Sequence, residues 1–168
     1  KPVEPASLTK IMTAFLVFEE LAAGRISDDD LVTISKRAWQ TEGSRMFVEV
    51  GKQVRVGDLV TGMIVQSGND ASVALAEHIA GSEGAFAQLM TATAAQLGMV
   101  NSQFKNATGL PAADHYTSAR DMAILATEMY RRFPGRYQLY SQKEFTFNDI
   151  RQHNRNRLLW RDPSVDGL

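Results

Sequence analysis

The run from Leu8 to Ala23 is apolar on nearly every face until Glu19-Glu20, and Gly24 stops it. A helix without a polar face is buried all round, so the remaining chain has to enclose it. With 168 residues and an apolar fraction of 44%, there is enough material for one domain with a real core around that helix. No repeat, low-complexity tract or Gly/Ser linker divides the chain, and residues 1–168 read as a single unit.

The other segments follow from pattern. Leu31 to Ile34 is strand-like, and Gly43 to Gly51 reads as a loop followed by extended chain. Helices are expected over Val56 to Gln66, Asp70 to Ala80 and Ser82 to Leu97, the first two separated by Ser67-Gly68-Asn69 and the last stopped by Gly98. Thr117 to Arg132 is amphipathic, with Met122, Leu125, Ala126 and Met129 at helical spacing and Pro134 closing it. From Lys143 the alternation of Phe145 and Phe147 about Thr146 predicts a strand. Most of the chain is helical, with little sheet of its own.

Lys and Arg total 18 against 19 for Asp and Glu, so no net field selects nucleic acid or an anionic membrane surface. The absence of cysteine excludes thiol nucleophiles, disulfides and cysteine-held metals. The apolar runs are far shorter than the roughly 20 residues that span a bilayer. The chain opens at Lys1-Pro2 without a charged-then-apolar leader, so a targeting segment is expected to have been removed or left out.

Ser7-Leu8-Thr9-Lys10 is a Ser-x-x-Lys element, which on a helix puts both side chains on one face a turn apart. A serine hydroxyl needs a neighbouring base, and lysine serves as one only when burial or a second cation lowers its pKa. The apolar helix around Lys10 supplies that burial. By itself the pattern is weak: Ser102-Gln103-Phe104-Lys105 repeats it in polar surroundings between Asn101 and Asn106, where a solvated turn explains it. What sets Ser7 apart is Ser67-Gly68-Asn69, a Ser-x-Asn at the break between two helices.

Ser-x-x-Lys followed by Ser-x-Asn is the order found in penicillin-recognising serine enzymes. Pro5 to Thr13 resembles the nucleophile segment of the low-molecular-mass penicillin-binding D-alanyl-D-alanine carboxypeptidases, and Gln66 to Ala71 resembles their second motif. Ser118 to Ala123, Lys143 to Asn148 and Asn154-Arg155-Asn156 with Leu158-Leu159-Trp160 are similar to that family's later segments. The resemblance implies an α/β fold of the penicillin-binding transpeptidase and serine beta-lactamase type, of which this chain is mainly the helical part. It implies Ser7 as acyl-enzyme nucleophile, Lys10 as its base, Ser67 as proton relay and Asn69 as substrate contact. The implied partners are peptidoglycan stem peptides ending in D-Ala-D-Ala and beta-lactams that mimic them, with no cofactor and no nucleic acid. The implied place is the bacterial periplasm or cell envelope, with inner-membrane association only through segments outside this chain. Serine beta-lactamase, D,D-endopeptidase and a non-catalytic wall-peptide-binding fragment are the rival functions.

The family's third motif, Lys-Thr-Gly on a strand, does not occur, and Val165-Asp166-Gly167-Leu168 is what leads into it. The catalytic domain is therefore expected to be incomplete at both ends, with Leu168 near Ser7 and Ser67 and an apolar helix face left open. Lys10 and Ser67 are expected to converge on Ser7, with Lys10 buried, its pKa lowered by burial and partly restored by hydrogen bonds to Ser67 or Asn69.

Arg155 offers a planar fork that suits a substrate carboxylate, and a solvated arginine fits the same pattern. Glu144 and Asn148 copy a lactamase spacing, but they lie in an alternating strand pattern and too far past Ser67. His78, His115 and His153 are scattered without metal-ligand spacing, and no metal is expected. Trp39 and Trp160 read as packing residues.

Overall fold

A computed structural model, which describes residues 1–168, places the enclosed helix as α1 (Thr9–Ala22), entered through a 3-10 turn over Ala6–Leu8. Met12, Ala14, Phe15, Leu16, Val17 and Phe18 are buried along it. The remaining helices are α2 (Lys36–Gln40), α3 (Val56–Val65), α4 (Asn69–Ala80), α5 (Glu83–Gln96), α6 (Ala119–Arg132) and the one-turn α7 (Pro134–Tyr137). Of these, α3, α4, α5 and α6 all pack on α1, which is how a helix without a polar face becomes soluble.

The helix starts are set by side chains. Ser35, Ser82 and Ser118 each accept a hydrogen bond from the backbone N–H three residues on, capping α2, α5 and α6. The single turn α2 carries no periodic pattern long enough to be legible in sequence, and neither does α7.

Sheet is scarce. Strands β1 (Leu31–Thr33) and β2 (Gln53–Arg55) pair antiparallel, with Val32 opposite Val54 as the buried couple. Strands β3 (Glu144–Phe147) and β4 (Ile150–His153) form a hairpin whose two-residue turn, Asn148-Asp149, has both φ values positive, at 47° and 59°. That backbone matches the twist of the strands it joins, and Asn and Asp tolerate it better than most residues. The expected strand around Phe145 and Phe147 is therefore one half of a hairpin.

The apolar stripe of α6 divides between two surfaces. Leu125 and Met129 are buried in the core, whereas Met122 and Ala126 are half-buried and line an open groove with Leu8, Ile11, Tyr130 and Leu168. Leu168 thus lines the same groove as Leu8, the residue that follows Ser7. No helix is long and apolar enough to cross a membrane.

The second Ser-x-x-Lys element differs from its sequence reading in part. The Ser102 hydroxyl is not solvated: it donates to the Asp121 carboxylate at 2.7 Å and lies 2.7 Å from the Thr117 hydroxyl. It lies outside any helix, so Ser102 and the exposed Lys105 do not share a helical face.

Candidate active site

Ser7 is exposed on the 3-10 turn, directly after Ala6, whose φ of 46° is unusual for a residue with a side chain. Lys10 follows in the first turn of α1 and is 6% exposed. Its Nζ lies 3.4 Å from Ser7 Oγ and donates a shorter bond, 2.7 Å, to the Thr108 carbonyl. Burial, reinforced by the positive charge of Arg155, lowers its pKa to about 8. At neutral pH about a tenth of Lys10 is then uncharged, against well under a thousandth for a free lysine.

Ser67 lies in the middle of the break between α3 and α4 and also has a positive φ, 61°. Such backbone costs of order 1 kcal/mol or more in a residue with a Cβ and tends to cluster at functional sites. Asn69 opens α4, and its Nδ2 donates to the Glu42 carbonyl at 2.6 Å while its backbone N–H donates to Ser44 O at 2.7 Å. Arg155 reaches the same loop, donating to Ser44 Oγ. The loop from Glu42 to Ser44 therefore joins Asn69 to Arg155, and the charge of Arg155 is felt at Lys10.

The hydrogen bonds expected from Lys10 to Ser67 or Asn69 are not made. The acceptor that favours the ammonium form is Thr108 O, because the turn carrying it runs against the start of α1. Thr108 carries no sequence signal as a donor or base, since what it contributes is a backbone carbonyl.

Three further residues build the site without having been legible in sequence. Asp70, 1% exposed, accepts backbone N–H bonds from Met46, Phe47, Val48 and Ala71, at 3.0, 3.0, 3.2 and 2.9 Å. Its carboxylate fixes the loop of Met46 to Val48, which follows closely on the Glu42-to-Ser44 segment that meets Asn69. His115 is buried beside Thr9: its Nδ1 accepts from Lys105 N at 3.0 Å, so Nε2 carries the proton and donates to Thr9 Oγ1 at 2.8 Å. Burial pushes its pKa down, which keeps that neutral tautomer. Gly109, at φ 86°, lies so close to Ala6 that a Cβ there would be 1.7 Å from the Ala6 carbonyl oxygen.

The sequence pattern of D-alanyl-D-alanine carboxypeptidases matches residues 1–168. The chain belongs to that family. It is 47% identical to D-alanyl-D-alanine carboxypeptidase DacC of Escherichia coli over 99% of this chain and 43% of that protein. It superposes on penicillin binding protein 5 of Haemophilus influenzae with a TM-score of 0.96 and 46% identity, covering 100% of this chain and 50% of that one. Penicillin binding protein 6B of Escherichia coli gives 0.93 and 40%, over 99% of this chain and 54% of that one. The expected penicillin-binding fold is the fold observed, and this chain spans less than half the length of the curated relatives it matches.

In this carboxypeptidase-family chain the remaining candidates make no hydrogen bond to Ser7, Lys10, Ser67 or Asn69. Glu144 is exposed on β3 and its carboxylate is taken up by Arg151 across the hairpin. His78 and His153 are exposed, and no group of three His, Asp or Glu side chains is placed to hold a metal ion.

Arg155 can be tested through its charge. Replacing it by Ala removes the second cause of the lowered Lys10 pKa, so that pKa should rise. Because the guanidinium is exposed and screened, the rise should be under about one unit, slowing lysine-dependent chemistry at pH 7 by about two- to fivefold and less at high salt. A pH–rate profile for Arg155→Ala that overlays the wild type at low salt would remove Arg155 from the electrostatics of the site.

Proposed function

We propose that this chain is the nucleophile-bearing part of the catalytic domain of a serine D,D-carboxypeptidase, which removes the terminal D-Ala from peptidoglycan stem peptides. The observation that carries the reading is the buried Lys10 amine, 3.4 Å from Ser7 Oγ with its pKa lowered to about 8. A serine beside such an amine has the base it needs.

In this reading Ser7 Oγ attacks the carbonyl of the D-Ala-D-Ala peptide bond while Lys10 Nζ takes its proton. The tetrahedral adduct collapses, the C–N bond breaks and the departing D-Ala amine receives a proton. Ser67, whose strained backbone presents it at the helix break, relays that proton. Water then hydrolyses the Ser7 ester. The 3.4 Å separation is long for a hydrogen bond and suits a resting site that tightens on substrate. Asn69 has one amide hydrogen committed to Glu42 O and a second free for a substrate acceptor. Arg155 stands where it can meet a substrate carboxylate, already oriented by Ser44.

Beta-lactams present the same carbonyl to Ser7 and acylate it. The protein works in the bacterial cell envelope, where stem peptides are found, and it is held at the inner membrane by other segments. The test is intact-mass spectrometry of the full-length protein with benzylpenicillin, peptide mapping of the adduct, and assay of D-Ala release from a stem pentapeptide. An adduct of one penicillin on the peptide holding Ser7, with D-Ala released, supports the reading. Peptide binding without any adduct makes the chain a recognition module instead.

A further inference from the structure

Four hydrogen bonds converge on one side chain in the turn behind Lys10. The Asn106 carboxamide oxygen accepts from Gly109 N at 2.7 Å, Thr108 N at 3.2 Å and Thr108 Oγ1 at 3.1 Å. Its Nδ2 donates to Leu110 O at 2.8 Å. One side chain thus spans the turn from Asn106 to Leu110.

Two adjacent residues of this turn meet the start of α1, one at Lys10 and the other just before Ser7. The Thr108 carbonyl is the short, 2.7 Å acceptor of Lys10 Nζ. On its other side the Gly109 backbone lies against the Ala6 carbonyl, one residue before Ser7. A neighbouring bond, Thr13 Oγ1 to Ala107 O at 2.8 Å, pins the same segment to α1 one turn further along. The position of Lys10 Nζ relative to Ser7 Oγ is therefore set by a turn whose conformation depends on Asn106.

We propose that Asn106 is a positioning residue for the acyl-transfer step: by fixing the Thr108 carbonyl and the Gly109 contact with Ala6, it holds the Lys10 amine against the Ser7 hydroxyl. The inference rests on the reading of Ser7 and Lys10 as nucleophile and base. Asn106 touches neither of them, so its action passes through backbone. Without it the turn is free to move by the fraction of an ångström that separates a productive Nζ–Oγ geometry from an unproductive one. Displacements of about 1 Å at such sites cost up to about a hundredfold in rate. The ammonium form would also lose its short acceptor, which shifts the protonation of Lys10 further toward neutral.

The experiment is acylation of the full-length protein by a fluorescent penicillin, followed across pH 5–10 for wild type, Asn106→Ala and Asn106→Asp, with thermal melts of each. Asn106→Ala should acylate about ten- to a hundredfold more slowly at its plateau, with the acid limb moved to lower pH, after correction for the folded fraction. Asn106→Asp keeps the accepting oxygen that takes three of the four bonds and should recover most of the rate. A profile for Asn106→Ala that superposes on wild type, whatever its melting temperature, overturns the proposal. Wild type that forms no adduct at Ser7 fails the underlying reading instead, and the two results are distinct.

Discussion

Replacing Lys10 by Met should abolish most acylation of Ser7 and, at the same time, leave the fold no less stable. The kinetic loss is expected to be about a hundredfold to ten-thousandfold, the range for removing a positioned general base. Wild type should show a rate that climbs about tenfold per pH unit from pH 6 and levels near pH 8, where Lys10 becomes largely neutral. The variant's residual rate should lack that limb. Stopped-flow acylation across pH reads both features, and a limb that survives in Lys10→Met would assign it to another group.

The stability side has a definite sign. The folded pKa of Lys10 lies below its unfolded value of 10.5, at about 8, so the unfolded chain holds more protons between those limits. Wild-type stability therefore rises as pH climbs from about 8 to 10.5, and below 8 the folded state carries the full cost of keeping a buried ammonium, about 3 kcal/mol. Met fills similar volume without charge and removes that cost, but leaves the buried Thr108 carbonyl without its donor, which takes back about 1–2 kcal/mol. The net gain is about 1 kcal/mol at pH 7, or roughly 2–4 °C for a chain of this size. It should shrink to nothing or reverse by pH 10. Melts at pH 7 and pH 10 decide it: a Lys10→Met deficit that is the same at both would mean that the buried charge costs the fold nothing.

How much of this was legible before the structure depended on whether the information lay in side chains or in backbone. The all-apolar face of Leu8 to Ala23, the helix starts at Ser82 and Thr117 and the helix break at Ser67-Gly68-Asn69 are side-chain patterns, and each marks an element within a residue or two. The proximity of Ser7 and Lys10 follows from their three-residue spacing at the start of α1. What the sequence hid is the scaffold: Thr108 and Glu42 act through carbonyl oxygens, which every residue has. Asp70 was hidden differently. A carboxylate second in a helix reads as a favourable charge at the helix start, whereas three of its four donors come from a loop more than twenty positions earlier. The Asn106-to-Gly109 turn has a local signature, an Asn whose side chain accepts from the backbone two and three residues on with a Gly at the third, but Asn and Gly are common in ordinary turns and do not by themselves mark a site.

Asp70 gives the largest effect expected on stability. Its two carboxylate oxygens divide the donors evenly: Oδ1 takes Met46 N and Ala71 N, and Oδ2 takes Phe47 N and Val48 N. Asp70→Ala leaves all four N–H groups without that acceptor in a buried site, and at about 1 kcal/mol each the loss should be about 3–5 kcal/mol. Asp70→Asn separates charge and packing from acceptor count. The carboxamide fits the same space, but it has one accepting oxygen, and its NH2 would face two N–H groups that also donate. About half of the alanine cost, roughly 2 kcal/mol, should therefore remain. Because Glu42 and Ser44 lie on the chain leading into this loop, both variants should also slow acylation through Asn69 and Arg155, with Asp70→Ala the slower. Urea unfolding at constant pH measures the first effect through the midpoint at unchanged slope. If Asp70→Asn unfolds at the wild-type midpoint, the four N–H bonds do not hold the loop, and its position must come from the packing of Met46 and Val48 alone.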